Sequence, residues 1–225
     1  MKSSTILSSV RALTPLPLLA LSVAPAFAHH MEGGNLPGSF TAGLLSGLGH
    51  PIIGLDHFAF MVGVGIACAF LPRGIIAILA FVTATIAGCA LHLQGVALPE
   101  AEILVAASVL IVGAVLMSGR RLPPFAAALA FALAGLFHGY AYGEGIFGAE
   151  RTPLAAYLIG FAAIQFAVAS AAMLATRAMA SERRASAVPA RLAGAVIAGI
   201  GLTFLVQNVE TIVIPAPAPI VAPGT

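Results

Sequence analysis

Residues 49–60 read GHPIIGLDHFAF and place His50, Asp56 and His57 at the threshold of an apolar run that continues to Leu71. Pro51 has no amide hydrogen to give a helical ladder and Gly54 is conformationally permissive, so a helix through this stretch breaks between His50 and Asp56. Ionisable side chains at membrane depth are expensive, and those that persist face a cavity or a partner. Irregular backbone is tolerated there only where protein or a water-filled cavity lines it, and such breaks recur at the binding sites of transporters. The stretch therefore bears both on how often the chain crosses a membrane and on what its polar groups do.

That the chain crosses at all follows from composition. Of its 225 residues, 60% are hydrophobic and 8% charged, against about 25% charged in a soluble domain, and the mean hydropathy is +1.05. The length suits one domain. The net charge of +2 is spread over loops, which leaves no basic face for nucleic acid. Apolar segments follow the opening stretch at roughly 57–71, 74–93, 101–118, 123–142, 153–176 and 190–213. Their connections are short, which favours antiparallel neighbours in an all-α membrane bundle of six transmembrane helices. Upstream, Lys2 and Arg11, the apolar run LTPLPLLALSV and the small residues Ala26 and Ala28 form a signal peptide over residues 1–28. Pro15, Pro17 and Pro25 argue against a permanent first anchor. The transmembrane domain is then 29–213, beginning at His29, and the Pro/Ala-rich tail 214–225 is expected to be extended and unpacked.

Arginine sets the orientation, because cytoplasmic loops collect Lys and Arg. Arg73, the pair Arg120–Arg121, and Arg177, Arg183, Arg184 and Arg191 occupy every second connection. The intervening loops carry Glu100, Glu144 and Glu150, with Arg151 their one basic residue. Six crossings after a cleaved signal put both mature termini outside, which in a bacterium means periplasmic on the inner membrane. A seventh crossing by 39–56 would put the basic loops on the wrong side. That stretch is therefore either a half-helix that dips in and returns or the outer part of a long broken helix.

All six histidines fall toward the outer side on this topology: His29 and His30 at the mature start, His50 and His57 at the break, His92 ending the second segment, and His138 near the outer end of the fourth. Asp56 and Glu144 join them, which makes one polar cluster at the outer mouth. Each has a plainer role open to it. His92 fits an interfacial group, His29 and His30 a terminal tag, Glu144 a solvated loop charge, Asp56 an N-cap, and Gly139, Gly143 and Gly145 close packing. Imidazole with carboxylate suits Ni²⁺, Co²⁺, Zn²⁺ or Cu²⁺ rather than Mg²⁺ or Ca²⁺. Cys68 and Cys89 stand near opposite ends of neighbouring segments, too far apart for a disulfide, and are expected to be inert packing thiols. No G-x-x-x-x-G-K-[ST] loop is present for ATP. Short similarities such as GLGH and GLFH, with His50, His92 and His138 one hairpin apart, hint at an old repeat.

The pattern H-P-x-x-G-x-D-H, met by His50, Pro51, Gly54, Asp56 and His57, together with F-H-G-x-A-x-G-E, met by Phe137, His138, Gly139, Ala141, Gly143 and Glu144, resembles the HupE/UreJ family of bacterial membrane proteins. The resemblance covers nearly the whole chain. It implies a permease, not an enzyme, that takes up nickel, or cobalt in some relatives, for [NiFe] hydrogenase or urease maturation. The partners expected are the transported divalent ion and membrane lipid, with no permanently bound cofactor. His50, Asp56, His57, His138 and Glu144 are the expected metal ligands, with His92, His29 and His30 as further candidates. The chain departs from the expected Leu-rich pattern at Phe58 and Phe60, which alters packing more than ligation. The rival reading is an integral-membrane metal-dependent hydrolase with Glu144 as base, although H-E-x-x-H and G-x-S-x-G are both absent.

Overall fold

The computed structural model describes residues 36–182 and 188–214. Seven helices account for them: α1 (Phe40–Ile53), α2 (Leu55–Ala69), α3 (Gly74–Leu93), α4 (Ala101–Ser118), α5 (Pro124–Glu144), α6 (Arg151–Glu182) and α7 (Val188–Val213). Among the described residues there is no strand. The segments at 74–93 and 101–118 coincide with α3 and α4, whereas α6 runs past the expected end at 176 to Glu182. The expected signal peptide at 1–28, His29, His30 and residues 215–225 of the tail lie outside the described residues.

The break falls at Gly54. Its backbone leaves the helical region (φ −70°, ψ 104°), and α1 and α2 meet there at 80°. Pro51 is held inside α1. The ladder resumes at once on the far side, where the Phe58 amide donates to the Gly54 carbonyl at 2.8 Å. The partner helix decides between a returning half-helix and a broken span. Gly43 lies against Pro153, Gly47 against Tyr157 and Gly65 against Ala169. Farther on, the Arg177 guanidinium donates to the carbonyls of Cys68, Ala69 and Leu71. Position advances along α6 in step with position along α1 and then α2, so the chain does not turn back. Residues 40–69 form one broken crossing alongside the long α6. Five other helices among the described residues are long and apolar enough to span a membrane, and counting the bent pair as one span brings the candidates to six.

Short loops led us to expect antiparallel neighbours, but the most intimate pairs are not sequential. α3 and α5 run parallel, with Gly135 on Phe81, Gly139 on Thr85 and Gly143 on His92. α1 and α6 are likewise parallel, whereas α4 and α7 are antiparallel, with Gly113 on Ala198 and Gly201 on Leu110. Glycine faces explain the difference. In lipid no hydrophobic force drives helices together, so backbones that can approach closely pair preferentially. The large apolar side chains left outside the bundle, such as Ile76, Ile111, Phe125, Leu174 and Val196, form the surface a bilayer covers.

Charge separates to the two ends. One end gathers Arg120, Arg121 and Arg191 around a cavity of about 110 Å³. There the Arg191 guanidinium caps the Met117 carbonyl at 2.9 Å, and Arg177 caps α2, as cations do at helix C-termini. The other end gathers Glu100, Glu102 and Glu144.

A Cβ at Gly88 would run into the Leu136 carbonyl, whereas one at Gly199 would meet nothing within 4 Å. Gly88→Ala should therefore destabilise the purified protein by about 1–3 kcal/mol, the usual range for overpacking. Gly199→Ala should be neutral or slightly stabilising through helix propensity. Thermal unfolding of both variants in detergent checks the contrast; equal midpoints would contradict the α3–α5 packing.

Candidate metal-ion site

Helix α2 opens at Leu55, so Asp56 and His57 occupy its first turn. Gly54, not Asp56, is the N-cap, and no side chain caps this end. The expected capping role of Asp56 is replaced by a bond to its neighbour. Its Oδ1 accepts from the His57 backbone amide at 2.8 Å and faces the His57 Nδ1 at 2.8 Å. A carboxylate can only accept, so Nδ1 carries the hydrogen, and the lone pair of the neutral form of the ring lies on Nε2. Asp56 is 7% and His57 5% exposed, and His57 Nε2 is buried without a hydrogen-bond partner. This carboxylate–imidazole pairing is how proteins fix the tautomer and orientation of a metal-binding histidine.

His138 reaches the same place from α5. Its Nε2 lies 2.9 Å from Ser108 Oγ on α4, and that hydroxyl donates to the Val105 carbonyl at 2.7 Å. The hydroxyl hydrogen is thus committed, so the oxygen accepts from Nε2–H and the His138 lone pair lies on Nδ1. The ring stacks on Phe60 at 4.2 Å and meets the edge of His57 at 4.8 Å. His50 comes from α1. The Tyr157 hydroxyl donates to the Tyr142 carbonyl at 3.2 Å and lies 2.9 Å from His50 Nδ1, which donates to it. The His50 and His57 rings flank Tyr142 at 5.0 and 4.3 Å. Tyr142 is itself buried, and its hydroxyl has no partner.

His50, Asp56, His57 and His138 are therefore brought together, around a phenol ring. His92 and Glu144 are not in this enclosure. They line a separate, open cavity of about 350 Å³ with Glu100, Glu102, Tyr140 and Asn208 at the acidic end of the bundle. Gly143 backs directly onto the His92 side chain, and the His92 ring meets Tyr140 at 4.7 Å. The single outer cluster expected from sequence is thus two layers, an open vestibule and a buried chamber packed with rings, separated where α5 passes from Glu144 to Tyr142. Among the described residues no three His, Cys, Asp or Glu side chains already converge on one point where a metal ion would sit. Cys68 and Cys89 are buried and free. Sequence reasoning missed Tyr142, Tyr157 and Ser108. Tyr142 sits at an unspecified position of the second motif, and Ser108 is an isolated hydroxyl in an apolar run, the one signal that pointed to it.

The HupE / UreJ protein family matches residues 17–204, a range that contains both motifs. The chain belongs to the HupE/UreJ family. It is similar to Protein HupE of Rhizobium leguminosarum bv. viciae, at 32% identity over 197 residues that cover 86% of this chain and 96% of that protein. No solved structure matches it. As a HupE/UreJ protein with five or six spanning helices it is an integral membrane protein, and the buried chamber sits where the first of its motifs breaks the first crossing.

Ser108→Ala removes the acceptor of the His138 Nε2–H, which is buried with its ring. An orphaned buried donor costs about 1–3 kcal/mol. The variant should lose stability on that scale in thermal unfolding, while Ser118→Ala, at an exposed helix end, should not; identical midpoints would remove Ser108 from the site.

Proposed function

We propose that this chain is a permease for uptake of a divalent transition-metal ion, Ni²⁺ first and Co²⁺ second, that supplies hydrogenase or urease maturation. The observation that carries the reading is the buried His57 Nε2, oriented through Nδ1 by Asp56 and left without a partner. Keeping such a group dry in a membrane costs free energy unless something polar visits it. Membership of the HupE/UreJ family and the HupE relative support the same reading.

The acidic vestibule of Glu100, Glu102 and Glu144, with His92, concentrates cations. The ion passes inward to His57, His138 and His50 around Tyr142. A membrane potential, negative inside, favours inward movement by about 2.3 kcal/mol per elementary charge per 100 mV, and by twice that for a divalent ion. Imidazole nitrogens favour borderline metals over hard, oxygen-seeking ones. In the hydrolase reading Glu144 would be the base, yet it is exposed in the vestibule, while the imidazoles lie behind Tyr142.

His57→Ala should abolish nickel uptake into cells at equal expression. Asp56→Asn, which leaves the ring but weakens its orientation, should reduce metal affinity by about 10–100-fold. In the same assay excess cobalt should inhibit and magnesium should not. Normal uptake in His57→Ala, or block by magnesium alone, would remove the imidazoles from the pathway.

We further propose that the arginine-rich end is cytoplasmic, that the glutamate-rich end faces the periplasm of a bacterial inner membrane, and that both mature termini are periplasmic. Reporter fusions after Arg121 should read cytoplasmic and fusions at Pro215 periplasmic. A cytoplasmic Pro215 would reverse the count of crossings.

A further inference from the structure

A second buried polar group has no role in the chamber just described. Gln165 lies on α6 on the same face as Tyr157 and Phe161, two turns beyond the first and one beyond the second. It is fully buried, as is Thr85 of α3. Its Nε2 donates to the Phe161 carbonyl at 3.0 Å and to the Thr85 hydroxyl at 3.2 Å. That hydroxyl in turn donates to the Val82 carbonyl at 2.8 Å. Both neighbours therefore accept, both amide hydrogens are used, and the amide cannot be turned over without losing the bond to a backbone carbonyl. The side-chain oxygen is left buried with no partner.

The register gives its height. Gly47 of α1 lies against Tyr157, and Gly65 of α2 against Ala169. One turn before Ala169, Gln165 falls opposite the turn of α2 around Met61, one turn beyond His57. From the other side Thr85 lies against Gly139, next to His138. The amide thus sits where α2, α3, α5 and α6 meet, level with His138 and one turn farther than His57 from the glutamate vestibule.

Resting on the permease reading above, we propose that the side-chain oxygen of Gln165 is a second station for the transported divalent cation, inward of His57, with Thr85 as the residue that positions it. A buried oxygen with unmatched lone pairs suits a cation. A neutral carbonyl holds a metal more weakly than imidazole does, and conduction needs binding that is divided among sites and weak enough to release. The amide nitrogen's two bonds account for a tether between α6 and α3, but a tether makes no use of the bare oxygen.

The test uses the full chain, with Ni²⁺ as the probe: binding in detergent by calorimetry, and uptake into proteoliposomes under an inside-negative potential. Gln165→Leu should bind Ni²⁺ within about threefold of the parent yet take it up at least about tenfold more slowly, a barrier increase of ~1.4 kcal/mol. Gln165→Glu, which enters the bundle protonated and keeps a carbonyl oxygen, should restore most of the rate. Should Gln165→Leu fail to fold, Gln165→Met is measured in the same way, since it keeps the unbranched shape without the oxygen. Uptake by either apolar variant at the parent rate overturns the proposal. So does loss of binding together with uptake, which would make Gln165 a support of the histidine chamber. A parent chain that takes up no Ni²⁺ sinks the permease reading itself, whereas a transporting parent with a normal apolar variant sinks this inference alone.

Discussion

The bond between Asp56 and His57 is the constraint on which the rest of the chamber depends. It joins adjacent residues, so it is available only if both side chains point inward at the start of a helix, and that requires the crossing to restart at Leu55. Gly54 makes the restart possible by stepping out of the helical region for one residue. A continuous helix from Phe40 to Ala69 would space His50 and His57 seven residues apart on one straight face. The 80° bend instead lets α1 deliver His50 to the Tyr157 hydroxyl while α2 delivers His57 to the other side of Tyr142. The break is therefore part of the site, and backbone irregularity at this depth is tolerated because α6 and α5 enclose it.

The enclosure also explains why the bundle is assembled from non-sequential pairs. Three imidazoles, two tyrosines and Phe60 occupy the space between α1, α2, α5 and α6, and rings of that size hold helices apart. Closure must then come from elsewhere, and the glycines on α3, α5, α1 and α6 provide it by letting those backbones touch. Gly139 is the clearest case. It is the residue after His138, it rests on Thr85, and it thereby sets how far His138 projects toward Phe60 and His57. A motif glycine that looks like generic membrane packing is thus also a ruler for the adjacent histidine.

Much of this was legible in the sequence. Hydropathy fixed the spans because a bilayer enforces length on every crossing, and α3 and α4 fall on the expected residues. Pro51 with Gly54 located the break, since both are local backbone effects. The direction of the stretch before it was not legible, because that depends on which partner helix it follows. The site was legible in its ionisable members and illegible in its neutral ones. His50, Asp56, His57 and His138 stand out against an apolar background, whereas Tyr142, Tyr157, Ser108 and Gln165 resemble ordinary helix residues until their hydrogen bonds are traced. The split between vestibule and chamber was hidden for a related reason. His92 and His138 both stand near the outer ends of their segments in sequence, but α3 and α5 pair with Gly143 on His92 and Gly139 on Thr85, so His138 lies deeper and meets Phe60 while His92 meets Tyr140, and that register is set by packing.

The state of the donors fits a carrier better than a store. A structural metal site gathers its ligands on one point and satisfies each by a second shell. Here each ring is held through one nitrogen, His57 by Asp56, His138 by Ser108 and His50 by Tyr157, and the second nitrogen of His57 is buried without a partner. The rings keep the correct tautomers, yet meet edge to face around Tyr142 without converging. Binding must move at least one of them, and that motion subtracts from the affinity the donors would otherwise give. An imidazole site built to maximum affinity would select copper and release nothing. On the proposed function, a site whose rings are oriented but whose geometry is unfinished would bind less tightly, and the bend at Gly54, between His50 and His57, is where the chain has the freedom to finish it.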